Sequence, residues 1–312
     1  MRNVRYPALF YLTIVVAAAG CLELPDENRQ TREPRPGRDP ALGNASRPVV
    51  QTGALTPVQQ TPDLTPPPST GQQTPPLPDA ENLPRLRALH RQATDRYSAI
   101  DSYIVRLRRR EQIGGRDKPE ELMLLKFRKQ PWSVYLKWLG KEAKGREVIY
   151  VRGHYEDKIH TLLAAGDMPL SPAGKRIAIA PDSFLARASS RHGIHETGIG
   201  VLIDSFGRLV DANERGDERL GKLKYMGTLQ RQEFTTRCEA VEQTIPPGAE
   251  PQLPRGGRRL WCFESISGLP TLLITHNELG QEVEYYCYDL FQFPVRLDDH
   301  DFNPDKLWPK KN

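Results

Sequence analysis

Two segments of this chain, MLLKF (Met123–Phe127) and VYLKW (Val134–Trp138), fit one another face to face. Take KQPW (Lys129–Trp132) as a hairpin loop, so that Arg128 faces Ser133. Phe127 then meets Val134, Leu125 meets Leu136, and Met123 meets Trp138. These residues are all apolar and share one side of the ribbon. On the other side Lys126 faces Tyr135 and Leu124 faces Lys137. Side chains alternate with period two only in a strand, and matched cross-strand partners are what a half-buried antiparallel sheet requires. The pairing also gives a reading to Lys126–Gly153, where Trp132, Tyr135, Trp138 and Tyr150 are interleaved with Lys and Arg. That mixture could suit a nucleic-acid or sugar surface, but here it reads as sheet, with some aromatics buried and others covering the outer face beside Lys stems.

Further strands are expected at Tyr103–Glu111, Leu122–Arg128, Ser133–Leu139, Arg146–Arg152 and Lys158–Leu163, separated by turn signals such as GGRDKP and GKEAKG. A second series follows at Leu223–Gln230, Thr235–Gln243, Arg258–Ser265, Thr271–His276 and Glu282–Asp289. Two helices are expected as well. Leu86, Leu89 and Ala93 recur at helical spacing after Asn82, a candidate cap, and Pro84. Ile199, Leu202, Ile203, Phe206, Leu209 and Val210 form the clearest amphipathic stripe. That helix begins near Gly198, is capped by Glu196 or Thr197, is softened by Gly207, and ends at Glu214–Gly216. Its stripe needs a partner, and the apolar sheet face supplies one.

The N-terminus has a different character. Arg2 and Arg5 precede an apolar run from Ala8 to Ala19, which reads as a secretory signal over residues 1–20. Cys21 follows Ala18-Ala19-Gly20 directly, an order that resembles the bacterial lipobox, whose cysteine is acylated. From Leu22 to Asp79 there is no Phe, Tyr or Trp, and 13 of the chain's 28 prolines fall there. Such a stretch buries too little apolar surface to offset its ordering entropy. Residues 21–80 are therefore expected to be a tether, reaching roughly 40 Å as a coil and about 180 Å if fully extended as polyproline. Residues 81–312 form the folded domain. Export also bears on the formal net charge of +5, because an exported protein seldom meets nucleic acid. Anionic lipid head groups or wall polymers fit that charge better than nucleic acid does, and a moderately basic solvated surface with no partner fits it better still.

Removing Cys21 for lipid leaves Cys238, Cys262 and Cys287. Centring the hairpin loop near Glu250 places Cys238 opposite Cys262, a disulfide candidate, and leaves Cys287 near Leu272 as the spare thiol. RHGIHE offers His192, His195 and Glu196, but Gly193 breaks the helix that would align the two His on a metal. DHDFNPD has calcium-loop spacing, yet Pro304 and Lys310 stand where that loop needs Gly and Glu. Nucleotide-binding and nucleophile motifs do not emerge. No catalytic residue, metal or cofactor is assigned.

KFRKQPWSVYLKWL…GREVIYVRG, SSRHGIHETGIGVLI and YDLFQFPVRLDDHDFNPD together resemble an uncharacterised bacterial family of exported proteins, related to the LolA/LolB-like lipoprotein-sorting carriers. The resemblance runs over most of residues 85–305. It implies a mainly β (α+β) fold: a strongly curved antiparallel sheet forming an open half-barrel, with the N-terminal and inserted helices on its concave side. By fold analogy it also implies a lipid-anchored envelope protein, non-enzymatic and facing the periplasm, that holds a lipid or acylated ligand. Leu125, Phe127, Val134, Leu136 and Trp138 would line the groove, and Ile199, Leu202, Ile203 and Phe206 would form its lid. The alternatives are an envelope scaffold whose core is dry, and an envelope-polymer hydrolase. Co-purifying acyl chains would mark the carrier, a packed interior the scaffold, and titratable groups converging in a polar cleft the enzyme.

Overall fold

The computed structural model describes residues 79–309. The signal segment, Cys21 and the tether lie outside the described residues. The described part belongs to one compact unit, Pro66–Asn312, distinct from Met1–Thr65. Among the described residues the core draws on side chains from Leu86 in α1 to Trp308 near the end of the chain.

The chain runs through α1 (Asp79–Ser98), β1 (Ser102–Ile113), the short β2 (Arg116–Asp117), β3 (Glu121–Arg128), β4 (Ser133–Trp138), β5 (Glu147–Val151), β6 (Ile159–Leu162) and β7 (Arg176–Ile179). It continues through α2 (Phe184–Ser189), α3 (Ile199–Glu214), β8 (Lys222–Leu229), β9 (Cys238–Ile245), β10 (Gly257–Glu264), β11 (Pro270–Asn277), β12 (Glu282–Gln292) and α4 (Pro304–Leu307). The strands form one antiparallel sheet in the order β7-β6-β5-β4-β3-β1-β12-β11-β10-β9-β8, with β2 paired to β1 alone. Two meanders thus join where β12 pairs with β1, and β7 and β8 are left as free edges. The result is an open half-barrel, as expected.

The proposed register is the observed one: Met123 pairs with Trp138, Leu125 with Leu136, Phe127 with Val134, Lys126 with Tyr135, and Arg128 with Ser133. The apolar set is buried on the concave side. On the convex side Tyr135 lies in a second cluster with Ile149, Val151, Phe302 and Trp308. The DHDFNPD segment brings this cover into place. Asp301 accepts from Lys126 at 2.7 Å and Asp299 from Arg128 at 2.9 Å, with the Arg128 guanidinium over the Phe302 ring. Its acids therefore staple the C-terminal segment to the back of the sheet.

Two helices fill part of the concave side. α1 buries Leu86, Leu89 and Ala93, and α3 buries Ile199, Ile203, Phe206, Leu209 and Val210. Gly207 and Gly200 mark where the helices cross: a Cβ at either would come within 2.4 Å of His90 or 2.5 Å of Tyr97 on α1. Gly207 serves close approach and does not soften the helix. Both expected caps also differ. Asn82 lies inside α1, donating to the Leu223 carbonyl and accepting from the Tyr225 amide, and so ties α1 to β8. The residue capping α3 is Gly198, whose φ of +108° only glycine adopts readily. A Cβ there would also meet the Tyr103 hydroxyl at 2.9 Å, and that hydroxyl accepts from the Ile199 amide in place of a cap.

The cysteine register is corrected. Cys238 pairs with Glu264 and Cys262 with Ala240, two residues from the expected match. The β9–β10 connection contains its own Glu250–Leu253 bridge, which moves the hairpin centre by one residue. A shift of two preserves the face, so both cysteines stay together in one convex-side cluster. All three described thiols are free and buried. Cys287 does pair with Leu272, as expected.

Candidate functional site

The expected groove residues fall into one packed cluster. Leu125, Phe127, Val134, Leu136, Trp138, Ile199, Ile203 and Phe206 are all buried, and Leu202 is half-buried against them. The lid is not arranged as expected. Only the start of α3 reaches β1 and β3, through Gly198 and Ile199. Its body lies against α1, β8 and β11, and Phe206 packs on Trp261 and Phe263 of β10, with ring centres 5.6 and 4.8 Å away.

The β3–β6 half of the concave face belongs to the same core, against which Ile179, Ala186 and Ile194 from the long β6–α3 connection are half-buried. His195 stands edge-on to Tyr150 at 5.0 Å. Within this connection α2 buries none of its own residues. Phe184 is 82% exposed and Leu185 is 50% exposed. Both ends of the connection are nevertheless fixed. Asp167 accepts from Arg146 at 2.8 Å and from the Ala164 amide at 2.7 Å, and Arg191 and His192 are held at the far end.

That far end is pinned by a polar row crossing the concave face. Register places Glu111, Glu284, Thr275, Arg259 and Gln243 side by side on β1, β12, β11, β10 and β9, all buried. One Glu284 oxygen accepts from Arg191 at 3.0 Å and from His192 Nε2 at 2.8 Å. The other accepts from Thr275 at 2.6 Å and Arg259 at 3.2 Å. His192 Nδ1 faces Glu196 at 2.8 Å. Glu111 accepts from Ser190, the Arg191 amide and the Tyr286 hydroxyl. Burial alone would raise the Glu284 pKa, but the His192 hydrogen bond and the Arg259 and Arg191 charges hold it well below the usual carboxylate range. Burial likewise opposes charge on His192, yet its bonds to Glu196 and Glu284 push it up to about 10. RHGIHE is thus a latch: His192 is committed to two carboxylates while His195 packs elsewhere.

A polar cleft of about 410 Å³ opens beside the row, lined by Glu111, Glu121, Arg146, Asp167, Leu185 and Ser189 among others. These are titratable groups converging in a cleft, which is what the hydrolase alternative looks for. Glu111, Glu121, Arg146 and Asp167 are each engaged, and Lys118 and Glu142 also line the cleft. Glu121 accepts from Arg109 and from the Trp138 indole at 2.8 Å, and Asp167 is taken by Arg146. Among the described residues no group of three or more His, Cys, Asp or Glu could hold a metal ion.

The sequence reading missed the polar row, although parity could have found it. Leu107, Arg109 and Glu111 share a face, as do Arg259, Trp261 and Phe263, and Glu284, Tyr286 and Tyr288. Each strand places a charge at an inward position.

The fold and its row define an open half-barrel whose β6–α3 connection is tied down through ion pairs at both ends. The family profile for a protein of unknown function, DUF1571, matches residues 100–307, and the chain belongs to that family. No curated protein matches. Among solved structures it is similar to the Mycobacterium tuberculosis lipoprotein LppX: 15% identity, 69% of this chain and 99% of that one, TM-score 0.40. It is also similar to a putative outer membrane lipoprotein-sorting protein domain from Vibrio parahaemolyticus: 11% identity, 71% and 99% coverage, TM-score 0.34. A LolA superfamily protein from Nitrosomonas europaea matches at 11% identity, with 70% and 98% coverage and a TM-score of 0.29.

Proposed function

We propose that this is a lipid-anchored protein of the bacterial envelope, held to the membrane through Cys21, whose half-barrel takes up a lipid or acylated ligand without chemically altering it. The acyl chain would enter between the concave face of β3–β6 and the β6–α3 connection, over Leu125, Phe127, Val134, Leu136 and Trp138. One observation carries this reading. The β8–β11 half is roofed by helices with buried stripes, while the roof of the β3–β6 half includes a helix with no fully buried residue, Ala186 alone being half-buried against the core. Such a segment is drawn from the low-stability end of a fold. A ligand chain would replace its few half-buried contacts, gaining about 0.8 kcal/mol for each methylene buried.

The test is native mass spectrometry and lipid extraction on purified residues 66–312, before and after incubation with diacyl phospholipid. A bound acyl species is expected, and Val134→Trp, which enlarges a side chain on the path proposed for the acyl chain, should reduce it. Absence of any acyl species from the folded protein in both conditions would end the proposal. The scaffold reading draws support from the packing, since the expected groove residues already form one filled core. It gains if that experiment is negative.

A further inference from the structure

Six of the eight large apolar side chains exposed on the described residues gather at one end of the half-barrel. Leu139, Leu170, Leu220 and Leu279 are 42%, 105%, 41% and 70% exposed, and Phe184 and Leu185 are exposed on α2. The register fixes this placement for the four leucines outside α2. Glu111 lies opposite Glu284, Met123 opposite Trp138, and Leu162 opposite Arg176. The β4–β5, β6–β7 and β11–β12 connections, carrying Leu139, Leu170 and Leu279, therefore emerge at the same rim. Leu220 precedes β8 there, since Leu223 lies in the row with Gln243. Leu185 lines the rim cleft. The other two, Ile266 and Leu290, lie toward the opposite end.

Two of these connections carry Lys141, Lys144 and Lys175, and the β2–β3 connection at the same end carries Lys118, all exposed. The rim carboxylates Glu120, Asp167 and Glu278 are paired with Arg110, Arg146 and Arg255, while Glu142 stands exposed between Lys141 and Lys144. Apolar tips on separate loops do not make a flat patch for a protein partner. Short tips ringed by ammonium groups match the layered chemistry of a bilayer surface, where side chains enter the head-group region and Lys meets phosphate. We propose that this rim docks on an anionic bilayer, with the six apolar side chains entering the head-group layer and the four lysines contacting lipid phosphates. α1 begins at the same end, since Asn82 is bonded to Leu223.

This does not rest on acyl-chain uptake. Vesicle binding by a domain that extracts no lipid would sustain it while removing the carrier reading. Residues 66–312, which carry no acyl group, are mixed with vesicles of phosphatidylcholine alone or with equimolar phosphatidylglycerol, and sedimented. Binding is expected on the anionic vesicles and should weaken with salt. Phe184→Ser and Leu170→Ser should each lower the partition coefficient about tenfold. Lys141→Gln with Lys144→Gln should lower it about tenfold or more on anionic vesicles only. Ile266→Ser, at the opposite end, should leave it unchanged. The proposal is overturned if the wild-type domain stays in the supernatant, or if Ile266→Ser weakens binding as much as Phe184→Ser. It is also overturned if the rim variants alter only self-association in analytical ultracentrifugation.

Discussion

Replacing Glu284 by Gln keeps the shape of the side chain and removes the charge on which three cations converge. Glu284 is 1% exposed, and its partners Arg191 and Arg259 have side chains 6% and 9% exposed. Breaking a buried pair from one side costs about 3–5 kcal/mol, because the remaining charge stays out of water. The lower figure applies here, since Arg259 retains two bonds to Glu250, at 2.6 and 2.8 Å, and Arg191 retains the Gln112 carbonyl at 2.9 Å. For a domain of this size, about 3 kcal/mol corresponds to a fall in Tm of about 6–12 °C. Thermal unfolding of residues 66–312 measures it, and hydrogen exchange should show Ser190–Thr197 opening first. The control is Asp299→Asn, whose carboxylate is 83% exposed beside Arg128 and is worth about 0.5 kcal/mol at most. If Glu284→Gln melts with wild type, or no lower than Asp299→Asn, the row does not hold the connection shut and the latch argument fails.

Gly221→Ala should be strongly destabilising, by about 3 kcal/mol. Its φ is +99°, and the new Cβ would sit 2.0 Å from the Thr244 carbonyl oxygen; a urea midpoint equal to wild type would refute this. The raised His192 pKa sets a pH window. Its contribution is full below the unfolded value of about 6.5, declines above it, and is gone once pH passes the folded value of about 10. With the side chain 42% exposed, solvent limits the effect to about 1 kcal/mol or less, so stability should fall from pH 7 to 10 in wild type and less in His192→Asn. Cys238 and Cys262, free in the structure, share one convex-side cluster, and if the domain is exported as proposed they are expected to bridge. Thiol titration of the exported, denatured domain should then find Cys287 alone, and three thiols would refute the bridge.

The strongest sequence inferences were those in which one side chain constrained another. Alternation in Met123–Phe127 and Val134–Trp138 fixed face and partner together, because a slip of one residue would expose the whole set. The register therefore survives to the individual pair. The cysteine pair had no such constraint. A slip of two keeps both thiols on their face, so burial could not discriminate, and loop geometry decided instead. β7 and α2 were not anticipated for a related reason. RIAI is half-buried at a free edge and FLARAS buries nothing, so neither carries a period that burial would have selected.

The polar row exposes a different limit. Patterning assigns residues to faces by counting apolar side chains, and a charge at an inward position reads as noise until its partners are known. Those partners are far apart in the chain: Glu111 meets Arg191 and Tyr286, and Glu284 meets His192 and Arg259. Only the closure of two meanders at β1 and β12 brings them together. The row then has a consequence that neither meander has alone. A half-barrel with an apolar interior could open at any point along its roof, but buried ion pairs at Asp167 and Arg191 fix both ends of the β6–α3 connection and leave α2 between them with no buried residue. The stretch between these two ends, which includes Leu185 at the rim cleft, is where opening would displace the fewest buried side chains. If uptake occurs, the route we propose starts at that rim.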